Sequence, residues 1–419
     1  MAITRFVPAR LRPVADDRPI HWFRAALPGL AATLVGVGLG RFIYTPILPF
    51  LIAEHWLRPG EAGYAGAANL AGYLAGAAIA HRLGRALGAR RVIRAALVLT
   101  ALAFLACALP WGFWWLAWWR FVPGVTGAVL MILGPSRVLM GVAPAARGRV
   151  AGVILTGAGI GVLMGSALVA PLAARGGVSS VWFGMAVLTL AATALSWRGW
   201  RREPALVRAA DAGIAAVPPA APMGAAILLL IVGYACDGTG FVPHTLFWVD
   251  YLARGLGLGG ELGAASWLMF GVGAACGPMV LGAFADRVGL GRMIVATLLV
   301  KAGAIFLPVA TSAWPALLLS PFLVGALSPG LSSLVSARLA ELYAHEGHSR
   351  AWGFATFAFA ISQAGGGYAA GWAFERFAAY RPLFLIGGTV ELLGALLCAV
   401  AWMVRNSASP SRRSAAGSR

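Results

Sequence analysis

Gly282-Ala-Phe-Ala-Asp286-Arg287-Val-Gly289-Leu-Gly-Arg292 joins two apolar runs, 263–285 and 293–312, through a short loop that carries two arginines. An α-helix needs about 20 apolar residues to cross the hydrocarbon core of a bilayer. The stretch therefore reads as a tight connection between two spanning helices. Outward from it the same pattern recurs, with apolar runs near 25–53, 62–80, 92–110, 112–136, 150–173, 178–197, 223–249, 314–336, 351–373 and 382–404. A membrane barrel would need alternating segments of about ten residues, and the sequence has none. Helices are the remaining way to satisfy backbone polar groups in lipid. The expected fold is an all-α membrane protein with twelve transmembrane helices.

Composition agrees. Of 419 residues 60% are hydrophobic and 11% charged, and mean hydropathy is +0.81. Soluble domains carry roughly 25% charged residues. The net charge of +19 does not indicate a nucleic-acid partner, because the arginines sit in short loops and form no continuous basic face. With the N-terminus in the cytoplasm, 25 of the 33 basic residues fall in cytoplasmic segments. That bias places both termini inside and requires an even number of spans. Arg82, Arg85, Arg90, Arg91 and Arg94 make the loop after the second helix the strongest anchor. The first 24 residues hold five arginines and no long apolar core, so they read as a leader that stays attached. Cys107, Cys236, Cys276 and Cys398 all lie in apolar runs without metal-ligand spacing.

The polar stretch 198–222, with Arg198, Arg201, Arg202 and Arg208 before Pro218, Pro219 and Pro222, divides the chain near its middle. The expected organisation is a leader 1–24, a six-helix bundle 25–197, a cytoplasmic linker 198–222, a second six-helix bundle 223–404 and a tail 405–419. The two bundles read as copies. At an offset of 201, Gly124, Arg137, Arg149, Gly152, Gly165 and Phe183 meet Gly325, Arg338, Arg350, Gly353, Gly366 and Phe384. At an offset of 205, Gly66, Gly72, Arg82 and Gly84 meet Gly271, Gly277, Arg287 and Gly289. Parallel six-helix repeats are a recurrent transporter architecture.

The opening segment, with Gly282, Asp286, Arg287, Gly289 and Arg292, resembles the G-x3-D-R-x-G-x2-R loop motif of the major facilitator superfamily. Its first-half counterpart, His81-Arg82-Leu-Gly84, departs from the motif, with three extra residues before Arg90. Arg120-x3-Gly124-x3-Ala128 resembles the fourth-helix motif, whose arginine is associated with proton coupling. The fifth helix, Gly157-x-Gly159-x-Gly161-x3-Gly165, lacks the Gly-Pro pair of the antiporter signature. Gly38-Leu-Gly40-Arg41-Phe-Ile-Tyr44-Thr45-Pro46-Ile-Leu-Pro49 is similar to the first helix of the YbfB/YjiJ-type subgroup. The resemblance implies two pseudo-symmetric bundles, alternating access, a gating role for the loop motif and a monomer, but no substrate.

Ionisable groups at mid-membrane are expensive and usually face partners or water. Arg41, Arg120, Asp237, Lys301 and Glu391 qualify. Lys301 and Glu391 match in depth, on helices that the resemblance makes peripheral, and read as a structural ion pair. Arg41, Tyr44, Thr45 and Leu48 have the spacing of one helix face, as do Asp237, Phe241, His244 and Trp248. In the resembled fold these two helices line the central cavity. Arg41 with Asp237 is then either a static pair or a contact for substrate or protons. His244 is a satisfied histidine or, less often, a proton carrier. With Arg41 and Arg120 against Asp237, one cavity cation is left over, which favours an anionic solute. Protonation of Asp237 would supply a coupling step. Glycine faces on the second, fifth, eighth and eleventh helices are expected to form the seam on which one half rocks.

No phosphate loop, His-Glu-x-x-His or Gly-x-Ser-x-Gly occurs. Neither an enzyme nor a built-in ATPase is indicated, and no cofactor or metal is implied. The leading expectation is a secondary transporter of the bacterial inner membrane, whose partners are the lipid bilayer, a small solute and protons. The alternative is a sensor or scaffold with a transporter fold.

Overall fold

The computed structural model describes residues 19–142, 146–201, 224–342 and 345–407. The expected linker 198–222 and tail 405–419 lie largely outside them, as does most of the leader. Residues 19–24 are already helical.

The chain is nearly all helix. The first crossing has three parts: α1 (Pro19–Thr33), a π-helical segment (Leu34–Phe42) and α2 (Tyr44–Ala53). Then follow α3 (Pro59–Leu87), α4 (Ala89–Cys107), α5 (Phe113–Met140) and α6 (Arg147–Ser196). The second half repeats the order with α7 (Ala225–Gly240), α8 (Val242–Asp250), a π-helical segment (Tyr251–Gly255), α9 (Gly259–Val288), α10 (Leu290–Ala310), α11 (Trp314–Leu342), α12 (His345–Phe377) and α13 (Arg381–Ser407). Among the described residues, eight helices are long and apolar enough to cross a membrane. One of these, α6, is two helices that meet at Gly176 and Gly177. Gly177 has φ of +65°, a conformation that costs a side-chain-bearing residue. The Glu54 carboxylate accepts the Val178 N–H at 2.9 and 3.1 Å, which caps the helix that starts there. With α6 counted as two crossings and α3, α4 and α12 included, the halves hold six crossings each.

The pseudo-symmetry is visible in the close approaches. A Cβ on Gly72 would strike the Phe121 carbonyl, and one on Gly273 the Phe322 carbonyl. Gly76 lies likewise on Val125, and Gly277 on Ala326; Gly124 on the Asn69 carbonyl, and Gly325 on that of Phe270. Every one of these pairs is related by 201, so the repeat keeps one offset from the second helix to the sixth. Gly88 (φ +83°) and Gly289 (φ +89°) are the matching left-handed turns. Gly289 therefore corresponds to Gly88 rather than to Gly84, and the offset of 205 with its three-residue insertion is corrected. With 55 glycines matches occur at either offset, and the turn geometry decides between them.

Each half has its own apolar core. The first gathers Leu39, Ile47, Phe104 and Trp182, the second Leu298, Leu331 and Val335. Two further clusters bridge the halves, Phe42 and Val162 with Phe241, Trp267 and Phe270, and Leu70 with Val242, Leu246 and Phe247. Across the halves α3 packs on α12 and α6 on α9.

The glycine faces expected to form this seam mostly do something else. Gly72 and Gly76 pack on α5, Gly157, Gly161 and Gly165 on the first helix, and Gly273 and Gly277 on α11, all within their own bundles. Gly367 and Gly371 do face α3 of the other half, and Gly159 meets Gly271 and Ala275 there. A glycine ridge marks a close backbone approach, but the spacing alone does not say which neighbour approaches.

Candidate functional site

The halves are tied together at the end away from the arginine-rich loops. Pro46 has no N–H, so the carbonyl of Phe42, four residues earlier, loses its helical partner. The Trp267 indole of α9 donates to that carbonyl at 3.1 Å. The Thr45 hydroxyl donates to the Thr245 carbonyl, and Tyr64 to Glu375 at 3.0 Å. Phe42 and Phe270 rings lie 4.9 Å apart. These contacts close the space between the bundles at the end away from the basic loops. Toward the basic end, a Cβ on Gly152, Gly282 or Gly353 would meet open space.

Arg41 stands at this divide and is half-buried. Its guanidinium is 5.0 Å from the Phe42 ring centre, 5.6 Å from Tyr73 and 5.8 Å from Phe241 on the second half. Its Nε and Nη2 are buried and meet no hydrogen-bond partner. Among the described residues no carboxylate pairs with it, and Asp237 pairs with Lys301 instead.

The expected shared face of Arg41, Tyr44, Thr45 and Leu48 does not hold. A π-helical turn takes more residues than an α-turn, and the segment ending at Phe42 rotates Arg41 away from the α2 face. Tyr44 points into the first bundle, where its hydroxyl donates to the Ala62 carbonyl at 2.7 Å. Leu48 is in the same core. From α2 it is Thr45 that reaches across to the other half.

Arg120 also sits inside the first bundle, 1% exposed. It donates to the Gly40 carbonyl at 3.2 Å and lies over the rings of Tyr44 (4.4 Å) and Trp182 (5.8 Å). Asn69, which sequence reasoning passed over because it is uncharged, donates to the Gly40 and Arg120 carbonyls at 3.1 and 2.9 Å. Arg120 is therefore not one of the cavity charges. The freed carbonyls around the π-segment draw it inward.

Asp237, Phe241, His244 and Trp248 do fall together, but their face looks into the second bundle. His244 stacks on Trp248 at 4.7 Å, edge-on to Phe384 at 5.2 Å. Its Nε2 is 2.7 Å from the Ser320 hydroxyl, which itself donates to the Ala304 carbonyl at 2.6 Å. The single hydroxyl hydrogen is thereby used, so Nε2 carries a proton and Nδ1 is left buried without a partner. Trp248 donates to Ser266 at 3.1 Å.

Asp237 takes Lys301 of α10 as its ion-pair partner. Glu391 of α13 stands 3.8 Å from the same ammonium, so the expected two-residue pair is a cluster of three. Depth matching found Lys301 and Glu391. Helix equivalence points Asp237 toward Arg41, whereas the structure gives it to Lys301.

In the loop motif, Gly282, Asp286, Arg287 and Gly289 are exposed, and Arg292 lies 5.3 Å from the Trp402 ring. At the opposite end Arg254 grips Asp250 at 2.6 and 2.7 Å, and the Tyr380 hydroxyl donates to the same carboxylate at 2.7 Å. Burial, and then the adjoining Asp250 charge, push the Tyr380 phenol above its ordinary range.

A family model described as "Uncharacterised MFS-type transporter YbfB" matches residues 33–399. A crystal structure of a D-xylose-proton symporter superposes with a TM-score of 0.71 at 14% identity, covering 91% of this chain and 97% of that one. A partially occluded inward-open structure of the xylose transporter XylE from E. coli gives 0.70 at 13% identity, covering 90% and 97%. At such identities the likeness speaks for the fold alone. No curated protein matches the sequence.

Proposed function

The chain belongs to the YbfB-type family of major facilitator transporters, and on that footing we propose that it moves a small organic anion across the inner membrane together with protons. It is a secondary transporter rather than an enzyme. The solute site is the space between the bundles, open to the cytoplasm and closed outside by Thr45, Trp267 and Tyr64. Both termini are cytoplasmic, following the arginine distribution, and the working unit is a monomer.

Arg41 carries the reading. A guanidinium between the bundles with two unpartnered donor atoms and, among the described residues, no carboxylate partner holds an uncompensated charge in a low-dielectric place. A carboxylate or phosphate would satisfy both donors in a forked geometry. The surrounding Phe42, Tyr73 and Phe241 rings suit a small apolar body attached to that group. Proton coupling is supported by a buried carboxylate, Asp237, on the helix opposite Arg41.

The test is thermal unfolding of the purified protein with a library of small carboxylates and phosphates. A subset should raise the melting temperature of the wild type, and Arg41→Gln should abolish that gain while folding normally. Equal stabilisation of Arg41→Gln by the same compounds would refute an Arg41 anion site.

A further inference from the structure

Glu391, Asp237 and Lys301 are respectively 0%, 1% and 0% exposed. Two carboxylates share one ammonium there, so with all three charged the cluster would carry a net negative charge inside the bundle. Lys301 binds Asp237 Oδ1. Asp237 Oδ2 and both Glu391 oxygens have no hydrogen-bond donor. Buried ionised carboxylates without donors are strongly disfavoured. Both carboxylates reach the same ammonium, so one proton between Glu391 and Asp237 Oδ2 would pair two of these orphan atoms and bring the net charge to zero. The titratable groups that face Glu391 are Asp237 and Cys236 from α7, Lys301 from α10 and Cys398 on its own helix. Gly240 provides the room: a Cβ there would collide with Glu391 Oε2.

We propose that Asp237, Lys301 and Glu391 form a site for a single exchangeable proton, and that its occupancy is felt at Arg41 through Phe241. The Lys301 ammonium lies 4.1 Å from the Phe241 ring centre, and the Arg41 guanidinium 5.8 Å from the same ring. The two cations are therefore no more than about 10 Å apart. Adding one unit of charge at that distance, with an effective dielectric near 20, changes anion affinity at Arg41 on the order of tenfold. Proton and anion then favour each other's binding, as linkage requires. This second half rests on the anion reading of Arg41; the proton site itself does not.

Infrared spectroscopy of the purified protein at neutral pH tests the site directly. The wild type should show the C=O stretch of a buried carboxylic acid. Both Glu391→Gln and Asp237→Asn should lose it, because either leaves one carboxylate for one ammonium. Absence of the band in the wild type, or its survival in either variant, would overturn the proposal. No transported solute is needed, so this result stands apart from the fate of the anion reading. With any anion that stabilises the protein through Arg41, one coupled proton multiplies accumulation about tenfold per unit of imposed pH gradient in proteoliposomes. Glu391→Gln should remove that factor while exchange of the same anion persists; undiminished accumulation would exclude Glu391 as the coupling group.

Discussion

Each bundle buries a cation near its centre, and the two are held by opposite means. Arg120 in the first has aromatic faces and a carbonyl but, among the described residues, no carboxylate. Lys301 in the second has two carboxylates and one aromatic face. A guanidinium is always charged, weakly hydrated and planar, so stacked rings and a stray carbonyl can hold it. An ammonium is a compact charge that demands counter-charge. Among the described residues the first cluster has no carboxylate; the second has one to spare. Two halves of the same ancestry thus offer a fixed strut and a titratable joint.

Removing each cation separates them most sharply. Lys301→Met strands two buried carboxylates, and loss of one partner from a buried pair costs about 3–5 kcal/mol. Arg120→Met leaves no orphan charge and should cost less, about 1–2 kcal/mol for its hydrogen bond and ring contacts. Thermal melts in detergent should rank Lys301→Met well below Arg120→Met, with Lys301→Met/Asp237→Asn recovering part of the loss. Equal melting temperatures for the two single variants would break the comparison.

A smaller effect comes from two glycines, one in the first crossing of each half. Gly240→Ala presses a methyl on Glu391, where forced overpacking costs about 1–3 kcal/mol. In Gly40→Ala the nearest atom is the Val35 carbonyl oxygen at 3.0 Å, a milder crowding. Gly240→Ala should be the less stable variant, and Glu391→Gln should not rescue it if the conflict is one of volume rather than charge. The smallest is Arg120→Lys. It keeps the charge but loses the planar stack, and should lower stability by about 1 kcal/mol, read as a shift in the same melts.

The fold was legible because lipid leaves few options: twelve apolar runs, basic loops on one side and a repeat near 201 residues prescribe two bundles. The site was less so. Helical spacing placed Arg41 and Tyr44 on one face, yet the π-segment before Tyr44 turns them apart, and prolines at 46 and 49 signal a break without giving its geometry. Asp237, Phe241, His244 and Trp248 do share a face, but which neighbour that face meets depends on how α7 and α8 are rotated within the bundle. Lys301 has two acidic residues at comparable depth, and sequence could not rank them. Asn69 and Trp267 went unremarked because neutral polar side chains in a span carry no charge signal, although each meets a carbonyl at the π-segment or at the proline break.

Alternating access itself is best tested by distances between spin labels in lipid, on a background with the four cysteines replaced. One pair replaces Gly152 and Gly353, which face open space at the basic end; the other replaces Arg58 and Arg376, exposed at the start of α3 and the end of α12 beside the Tyr64–Glu375 contact. Thr45→Val removes a bond between the bundles worth about 1 kcal/mol and should shift the population toward the opposite state. The account requires the two distances to move in opposite senses, the basic end narrowing as the far end widens. Widening at the far end with no change between 152 and 353 would contradict it.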